Sequence, residues 1–238
     1  MITSEHLAEV FPNPSVREVA FEVRFAPRLR VIPEVWRIQD RLAEDYPEVT
    51  EETSPQPDGR LVRAYVFSNP SSRRLIKASQ ENFVVVFNSY STFEEFKAEA
   101  VTRTAEFSHQ FEVTTYHRVG LRYVNHIELP ALDGIRILRR YVNLPIDFGH
   151  LDEPTIEQLL TEFRLKVRSY RLTVRGALIP FPTKPQELLY ILDLDCHGTG
   201  QLQVASLPTL LDEFHHEIQV RFLEHVTEEY KGIMRRRT

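Results

Sequence analysis

The sequence predicts an α+β fold in which one antiparallel sheet has two long helices packed on one face. Three observations predict it: short segments with alternating apolar residues, two long segments with apolar residues at helical spacing, and the same order of elements in each half of the chain. Each half runs strand, helix, two or three strands, long helix. We therefore expect a single domain over 1–238 with half-repeats at 13–112 and 113–235, in a helix-grip or ferredoxin-like arrangement.

The first predicted strand is the most regular segment of the chain. Alternate positions from Val19 to Phe25 are apolar, as expected of a half-buried antiparallel strand. Residues 33–46 predict an amphipathic helix, because Pro33 suits a first helical turn and apolar residues follow at helical spacing. Residues 50–60 are polar and rich in turn-forming types, so they predict a loop.

Three further strands and a capped helix complete the first half. The strands are predicted at 61–68, 73–79 and 82–88. The last of them is apolar on both faces, which favours a central position in the sheet. Thr92 and Glu95 form a capping box, so a helix begins there and extends to about Phe111.

The second half follows the same order. A long strand is predicted at 116–129, and Gly120 within it indicates a bulge or a close backbone approach. The remaining predicted elements are a short helix at 134–142, one or two helical turns from 154, strands at 163–167, 172–177 and 188–195, and a long helix at 208–234.

The composition is that of an ordinary globular protein. The 238 residues carry a formal net charge of −5, which excludes a global basic field that would attract nucleic acid or anionic membrane. No segment reaches the roughly 18–20 apolar residues of a membrane span, and the N-terminal residues lack signal-peptide features. The one cysteine, Cys196, excludes an internal disulfide framework and a cysteine-based zinc site. We expect a cytoplasmic protein.

Charge is distributed unevenly along the chain. Residues 34–58 hold eight acidic residues and two arginines, whereas 136–175 holds eight basic and five acidic residues. Such segregation favours docking within the chain, head-to-tail self-association or an electrostatically selected partner. We therefore expect a protein partner, met by the acidic 34–58 segment or the basic 136–175 face, with a homodimer as one form of that association.

Four segments resemble the blocks of one protein family. Residues 13–25 are similar to N-P-P-[LIV]-x-E-[AV]-x-[FC]-E-[LIV]-R-F, and residues 116–127 contain a block similar to R-x-G-L-R-Y-[IV]-N-x-I. Residues 191–195 resemble L-D-[IVL]-D, and residues 222–227 resemble F-E-x-x-[IV]-T. These are blocks of a sporadically distributed prokaryotic family of unknown function.

The resemblance implies a single-domain architecture over nearly the whole chain, and it transfers no catalytic residue. The chain departs from the pattern at Ser15, where a second proline is expected, and at Leu223, which separates a phenylalanine from its glutamate. Neither departure touches the central blocks. A patchy prokaryotic distribution implies horizontal transfer, often with mobile or defence-type gene clusters.

Asp193, Asp195 and His197 form a candidate metal site. On a strand these alternate positions share one face, opposite the apolar residues between them. Two carboxylates and an imidazole suit Mg²⁺, Mn²⁺ or Zn²⁺, or acid–base chemistry, and predict a metal-dependent enzyme as an alternative function. The competing interpretation is a solvated face paired with a neighbouring basic strand.

Arg118, Arg122 and Asn125 form a candidate anion-binding group. Two guanidinium groups and an amide suit bidentate binding of an anion. The competing interpretation is a buried ion-pair network, for example Arg122 with Glu22 or Asp193.

Arg164, Lys166 and Arg168 form a second candidate binding group. They alternate with apolar residues, so they share one face of a strand. They would pair with the acidic face at 193–197, or, together with Tyr170, offer a platform for single-stranded nucleic acid. A nucleic-acid-binding module is thus the second alternative function.

The chain lacks every complete catalytic motif that we sought, including the zincin helix, the dinucleotide fingerprint, the phosphate loop and the nucleophile elbow. We therefore expect a non-catalytic protein-binding module, accessory or regulatory in role, without a cofactor.

Overall fold

The computed structural model describes residues 9–55, 59–129, 135–144, 146 and 158–236. Its strands are β1 (Val16–Arg24), β2 (Glu48–Pro55), β3 (Leu61–Asn69), β4 (Arg74–Ser79), β5 (Asn82–Phe87), β6 (Thr115–Leu129), β7 (Leu159–Val167), β8 (Tyr170–Phe181) and β9 (Lys184–Gln203). Its α-helices are α1 (Val35–Leu42), α2 (Phe93–Gln110), α3 (Ile135–Tyr141), α4 (Leu207–His225) and α5 (Glu228–Met234).

All nine strands belong to one sheet, with hydrogen-bonded neighbours in the order β2-β3-β4-β5-β1-β6-β9-β8-β7. In each half of the chain the first strand lies beside the last, and the other strands follow outward in reverse chain order. The pairs β1–β5, β2–β3, β3–β4, β4–β5 and β7–β8 are antiparallel. Strands β2 and β7 are the two ends of the sheet.

The predicted fold class is wrong. We expected two long helices packed on one face of a sheet, in a helix-grip or ferredoxin-like arrangement. The protein is instead a large nine-stranded antiparallel sheet, with 46% strand and 31% helix among the described residues. Its helices are mostly peripheral, and three of the five described α-helices have only seven or eight residues. The physical reason is that hydrogen bonding to neighbouring strands extends the sheet through segments that show no apolar alternation.

Two segments show this effect. Residues 50–60 predicted a loop, but Glu48–Pro55 is a strand paired with β3, in the register Thr50↔Val66. Almost every residue of β2 is exposed, so both faces of the strand are in solvent. Its sequence therefore shows no apolar alternation. Likewise the strand predicted at 188–195 is longer than expected, because β9 begins at Lys184 and continues as far as Gln203.

The predicted helix at 208–234 is two helices. A break at Val226 and Thr227 separates α4 from α5, because Val226 forms an isolated bridge with Val142 and the Thr227 N–H donates to the Tyr141 carbonyl at 3.0 Å. The Thr227 hydroxyl then accepts from the Tyr230 N–H at 3.3 Å and caps α5. None of the described helices has both the length and the apolar character needed to cross a membrane.

Other boundaries also differ from expectation. The helix predicted at 33–46 covers only Val35–Leu42, after a 3-10 turn at Leu29–Val31. The short helix predicted at 134–142 is α3. The helical turns predicted from 154 lie, except for residue 158, outside the described residues.

The chain divides into two compact units, of which one comprises Glu18–Arg122 and His197–Phe214. In this unit the alternation predicted for β1 is confirmed, since Val19, Phe21 and Val23 are fully buried. Their face of the sheet meets the aromatic side of α2, where the rings of Phe83 and Phe107 stack with centroids 4.5 Å apart. The predicted N-cap is confirmed as well, because the Thr92 hydroxyl accepts from the Glu95 N–H at 3.2 Å. The Glu95 carboxylate accepts from Ser91 and Arg74.

The second unit comprises the rest of the described chain. Its core centres on Tyr190, whose buried phenol makes a 2.9 Å hydrogen bond with Nε2 of His225. Gly176 lies beneath that phenol, where a Cβ would come within 2.1 Å of the Tyr190 hydroxyl oxygen. The single domain over 1–238 with half-repeats at 13–112 and 113–235 stays a prediction.

Candidate functional site

Strand β9 has the predicted acidic face, and Asp193 on that face forms an ion pair with an arginine. Asp193 is buried, and Nη1 of Arg175 donates to its Oδ2 at 3.2 Å. The same guanidinium donates through Nε to Glu162 on β7 at 2.8 Å, which lowers the pKa of Glu162. We expected Asp193 to pair with the basic residues at 164–168. The partner is Arg175, because β8 lies between β7 and β9.

The other side of β9 is apolar, as predicted. Leu192, Leu194 and Cys196 are fully buried, and burial raises the pKa of the Cys196 thiol to about 12. A thiol with such a pKa is not a nucleophile at neutral pH.

No metal site is found in the part of the chain that the structure describes. Among those residues no group of three or more His, Cys, Asp or Glu side chains could hold a metal ion. Asp195 and His197 are both half-buried on β9. The predicted metal site at Asp193, Asp195 and His197 therefore receives no support.

Arg118 forms an ion pair with β1. Its Nη1 donates to Oε2 of Glu22, and the two side chains are only 20% and 19% exposed. The guanidinium lies across Gly120, where a Cβ would approach Arg118 Nη1 to 2.9 Å. The close approach predicted at Gly120 therefore involves a side chain. Val119, Gly120 and Leu121 are all buried, and alternate positions from Val119 to Leu129 are buried throughout.

Arg122 and Asn125 have separate surroundings. Arg122 lies 3.8 Å from Glu18 in a pair whose side chains are 46% and 36% exposed. Asn125 is buried, and it accepts from the Ser15 hydroxyl at 3.2 Å and donates to the Leu192 carbonyl at 3.3 Å. These contacts make Asn125 a structural residue. The ion-pair interpretation named Glu22 or Asp193 as the partner of Arg122, whereas the pairs observed are Arg118 with Glu22 and Arg122 with Glu18.

The basic residues predicted on 164–168 lie on the hairpin of β7 and β8. Arg164 is exposed and lies 2.7 Å from Glu162, and Arg168 is at 4.0 Å from Glu217. Lys166 pairs in register with Arg171, and neither forms an ion pair with any described residue. This hairpin therefore presents uncompensated positive charge.

Strand β7 is the end of the sheet and is poorly covered. Among the described residues β8 is its one neighbouring strand. Its side chains are exposed or half-buried throughout, including Leu160 at 68% and Leu165 at 37% exposure. An edge strand presents backbone N–H and C=O groups that another strand can bind. The edge thus combines apolar side chains, positive charge and available hydrogen-bonding groups.

Strand β2 ends the other side of the sheet and has the opposite charge. It carries Glu48, Glu51 and Glu52 and no basic residue. Glu51 pairs with Arg63 at 3.1 Å and Glu52 with Lys77 at 2.8 Å, whereas Glu48 forms no ion pair with any described residue.

A further exposed apolar side chain lies on α1, within the acidic segment 34–58. Trp36 is the one tryptophan of the chain and is more than half exposed, and the Arg37 guanidinium lies 5.2 Å from the centre of its ring. Exposed tryptophan and arginine are frequent in binding hot spots.

Sequence reasoning named Arg164, Lys166 and Arg168 as a candidate binding group, but it did not identify β7 or β2 as an edge strand. The alternation at 163–167 predicted a strand, but position in the sheet depends on long-range pairing that no local pattern encodes. The uneven charge of 34–58 and 136–175 was the one available signal, and both edge strands lie within those segments.

Neither a scan against protein-family models nor a search of the curated proteins finds a match to this chain. Its likeness to the prokaryotic family of unknown function therefore stays a hypothesis carried by the four blocks.

Proposed function

We propose that the protein is a non-catalytic module that binds another protein along the edge strand β7, in an accessory or regulatory role. One observation carries the proposal: β7 ends the sheet with exposed Leu160 and Leu165 beside uncompensated basic residues. Strand addition to such an edge supplies main-chain hydrogen bonds, and the flanking side chains supply specificity.

The charge on the edge bears on the kind of partner. Lysine and arginine on an edge strand oppose pairing with neutral or basic strands, and natural sheets use them to avoid aggregation. The same charges favour an acidic strand, because opposite charges across a strand pair stabilise it and like charges destabilise it. We therefore expect an extended, acidic partner segment.

The two other functions predicted from sequence lack a supporting observation among the described residues. Asp193 is bound by Arg175, and no metal-binding group is found there. The basic hairpin carries no row of exposed aromatic side chains, since Tyr170 is half-buried. The cytoplasm is our proposed compartment, supported by a single buried free cysteine. A place in a mobile or defence-type gene cluster rests on the family resemblance alone.

The test is affinity capture of a partner by the tagged protein from its source cells, with and without nuclease treatment. We would compare the wild type with the double variant Arg164→Glu/Lys166→Glu. The matched control is Arg37→Glu/Arg41→Glu on α1, which changes the net charge equally at two exposed positions. We expect one stoichiometric protein partner that the wild type and the control retain and the β7 variant loses.

Three outcomes would contradict the proposal. Loss of the partner in the α1 variant alone would assign binding to the Trp36 surface. Loss on nuclease treatment would favour the nucleic-acid alternative. Equal capture by all three proteins would show that β7 is not the binding edge.

A further inference from the structure

We infer that the strand bound by β7 is β2 of a second copy of this chain, so that copies associate head to tail through opposite ends of their sheets. This inference rests on the proposed function, since it names the partner of the same edge. The two ends have opposite charge: β2 carries three glutamates and no basic residue, and residues 162–171 carry four basic residues and one acidic residue.

The two strands also match in length, and each lacks a neighbouring strand on one side among the described residues. They have 8 and 9 residues, so nearly the whole of each could pair. Strand β2 buries almost no side chain and is held by its pairing with β3. A second strand along its open side would satisfy the remaining backbone groups, which is the largest available gain for a strand without a buried face.

Specific side chains favour this pairing over the symmetric ones. Glu48 on β2 and Lys166 and Arg171 on the β7–β8 hairpin have no ionic partner among the described residues. Pairing β7 with β7 would oppose basic residues, and pairing β2 with β2 would oppose glutamates. Both are destabilising. The heterologous pair β2–β7 is the combination that brings opposite charges together, and a heterologous interface produces a closed ring or an open chain.

The experiment measures the sedimentation of the purified full-length protein over a wide concentration range, at low and high salt. Variant A is Arg164→Glu/Lys166→Glu, and variant B is Glu48→Lys/Glu52→Lys. We expect concentration-dependent association of the wild type that weakens at high salt, because the interface charges are exposed and screened. Each variant alone should associate at least about tenfold more weakly.

The decisive measurement is the sedimentation of an equimolar mixture of variants A and B. In the mixture both edge strands of A carry only acidic charges and both edge strands of B carry a net positive charge, so association should return when the two are combined. The control Arg37→Glu/Arg41→Glu should associate as the wild type does. If variant B does not fold, Glu48→Lys alone replaces it, since the Glu48 carboxylate forms no ion pair with any described residue.

A wild type that stays monomeric, variants that associate normally, or a mixture that stays dissociated would each overturn the inference. These results leave the proposed function separately testable. A monomeric protein that still captures another protein through β7 keeps the proposed function and loses the second copy as partner. A monomer whose captured partner is unaffected by variant A loses both.

Discussion

At the scale of single residues, the two arginines of β6 differ in how much solvent screens their ion pairs. Arg118 and Glu22 are each about one-fifth exposed, and the arginine also lies against Gly120. Arg122 and Glu18 are separated by 3.8 Å, and their side chains are more than a third exposed. An exposed pair contributes little to stability, whereas removal of Arg118 takes one of two arginines from the shielded Glu22, the other being Arg24 at 2.9 Å.

We therefore predict that Arg118→Ala lowers the free energy of unfolding by about 1–2 kcal/mol, and that Arg122→Ala lowers it by less than about 0.5 kcal/mol. Urea denaturation of the two variants measures both values. The double variant Arg118→Ala/Glu22→Ala should cost less than the sum of its single changes, because the two side chains interact. Equal losses for Arg118→Ala and Arg122→Ala would contradict the assignment of the shielded pair.

His225 links stability to pH. Its ring stacks on that of Tyr190 with centroids 5.9 Å apart, and burial lowers its pKa from 6.5 to about 4. Because the folded-state pKa lies below the unfolded one, the contribution of His225 is complete above pH 6.5. It is lost as pH falls from 6.5 towards 4, since only the unfolded chain binds the proton in that range.

We predict that the wild type loses more stability than His225→Gln as pH falls through this range. Glutamine keeps a neutral polar group near the Tyr190 hydroxyl and does not titrate. Thermal melts of both proteins at several pH values give the difference, in which carboxylate titrations common to both cancel. Parallel pH profiles would show that His225 titrates normally, and an NMR titration of its ring would give the same answer directly.

At the scale of elements, the start of α2 depends on one hydroxyl. Thr92 has extended backbone, and its side chain accepts from the Glu95 N–H. We predict that Thr92→Ala costs about 1 kcal/mol of unfolding free energy, whereas Thr92→Ser, which keeps the acceptor, costs a few tenths. Chemical denaturation of both variants tests this, and an alanine variant as stable as the wild type would show that the cap contributes nothing.

Sequence predicted those elements whose pattern is local. The alternation from Val19 to Phe25 exists because one face of β1 is buried, and the Thr92 cap precedes α2 because its donor and acceptor are three residues apart. Strand β2 was not predicted, because an edge strand with both faces in solvent needs no apolar residues. The helix break at Thr227 was not predicted, because it depends on a backbone hydrogen bond to Tyr141, 86 positions earlier in the chain.

In the candidate sites, too, the sequence predicted the local features and not those that depend on distant parts of the chain. The faces of β6 and β9 were predicted because side-chain parity on a strand is local. Their partners were not, since strand order decides that Asp193 meets Arg175 on β8. For the same reason sequence alone did not distinguish an edge strand from a central one at 159–167.

At the scale of the whole molecule, the sheet has ends of opposite charge, and amide exchange can detect whether they pair. In a monomer the outward N–H groups of β2 and β7 pair with no other strand among the described residues, so they should exchange rapidly. Strand β5 lies between two other strands, so its N–H groups are protected in every state.

We predict that hydrogen–deuterium exchange slows in peptides covering Glu48–Pro55 and Leu159–Val167 when the protein is concentrated, and that β5 and α1 are unchanged. The cause would be new hydrogen bonds between edge strands, and Arg164→Glu/Lys166→Glu should abolish the effect in both strands together. Slowing of β7 alone would contradict pairing with β2, because each head-to-tail contact protects one edge of each kind. Slowing in α1 instead would place self-association at Trp36, on a helix whose exposed surface offers side chains but no free row of backbone donors.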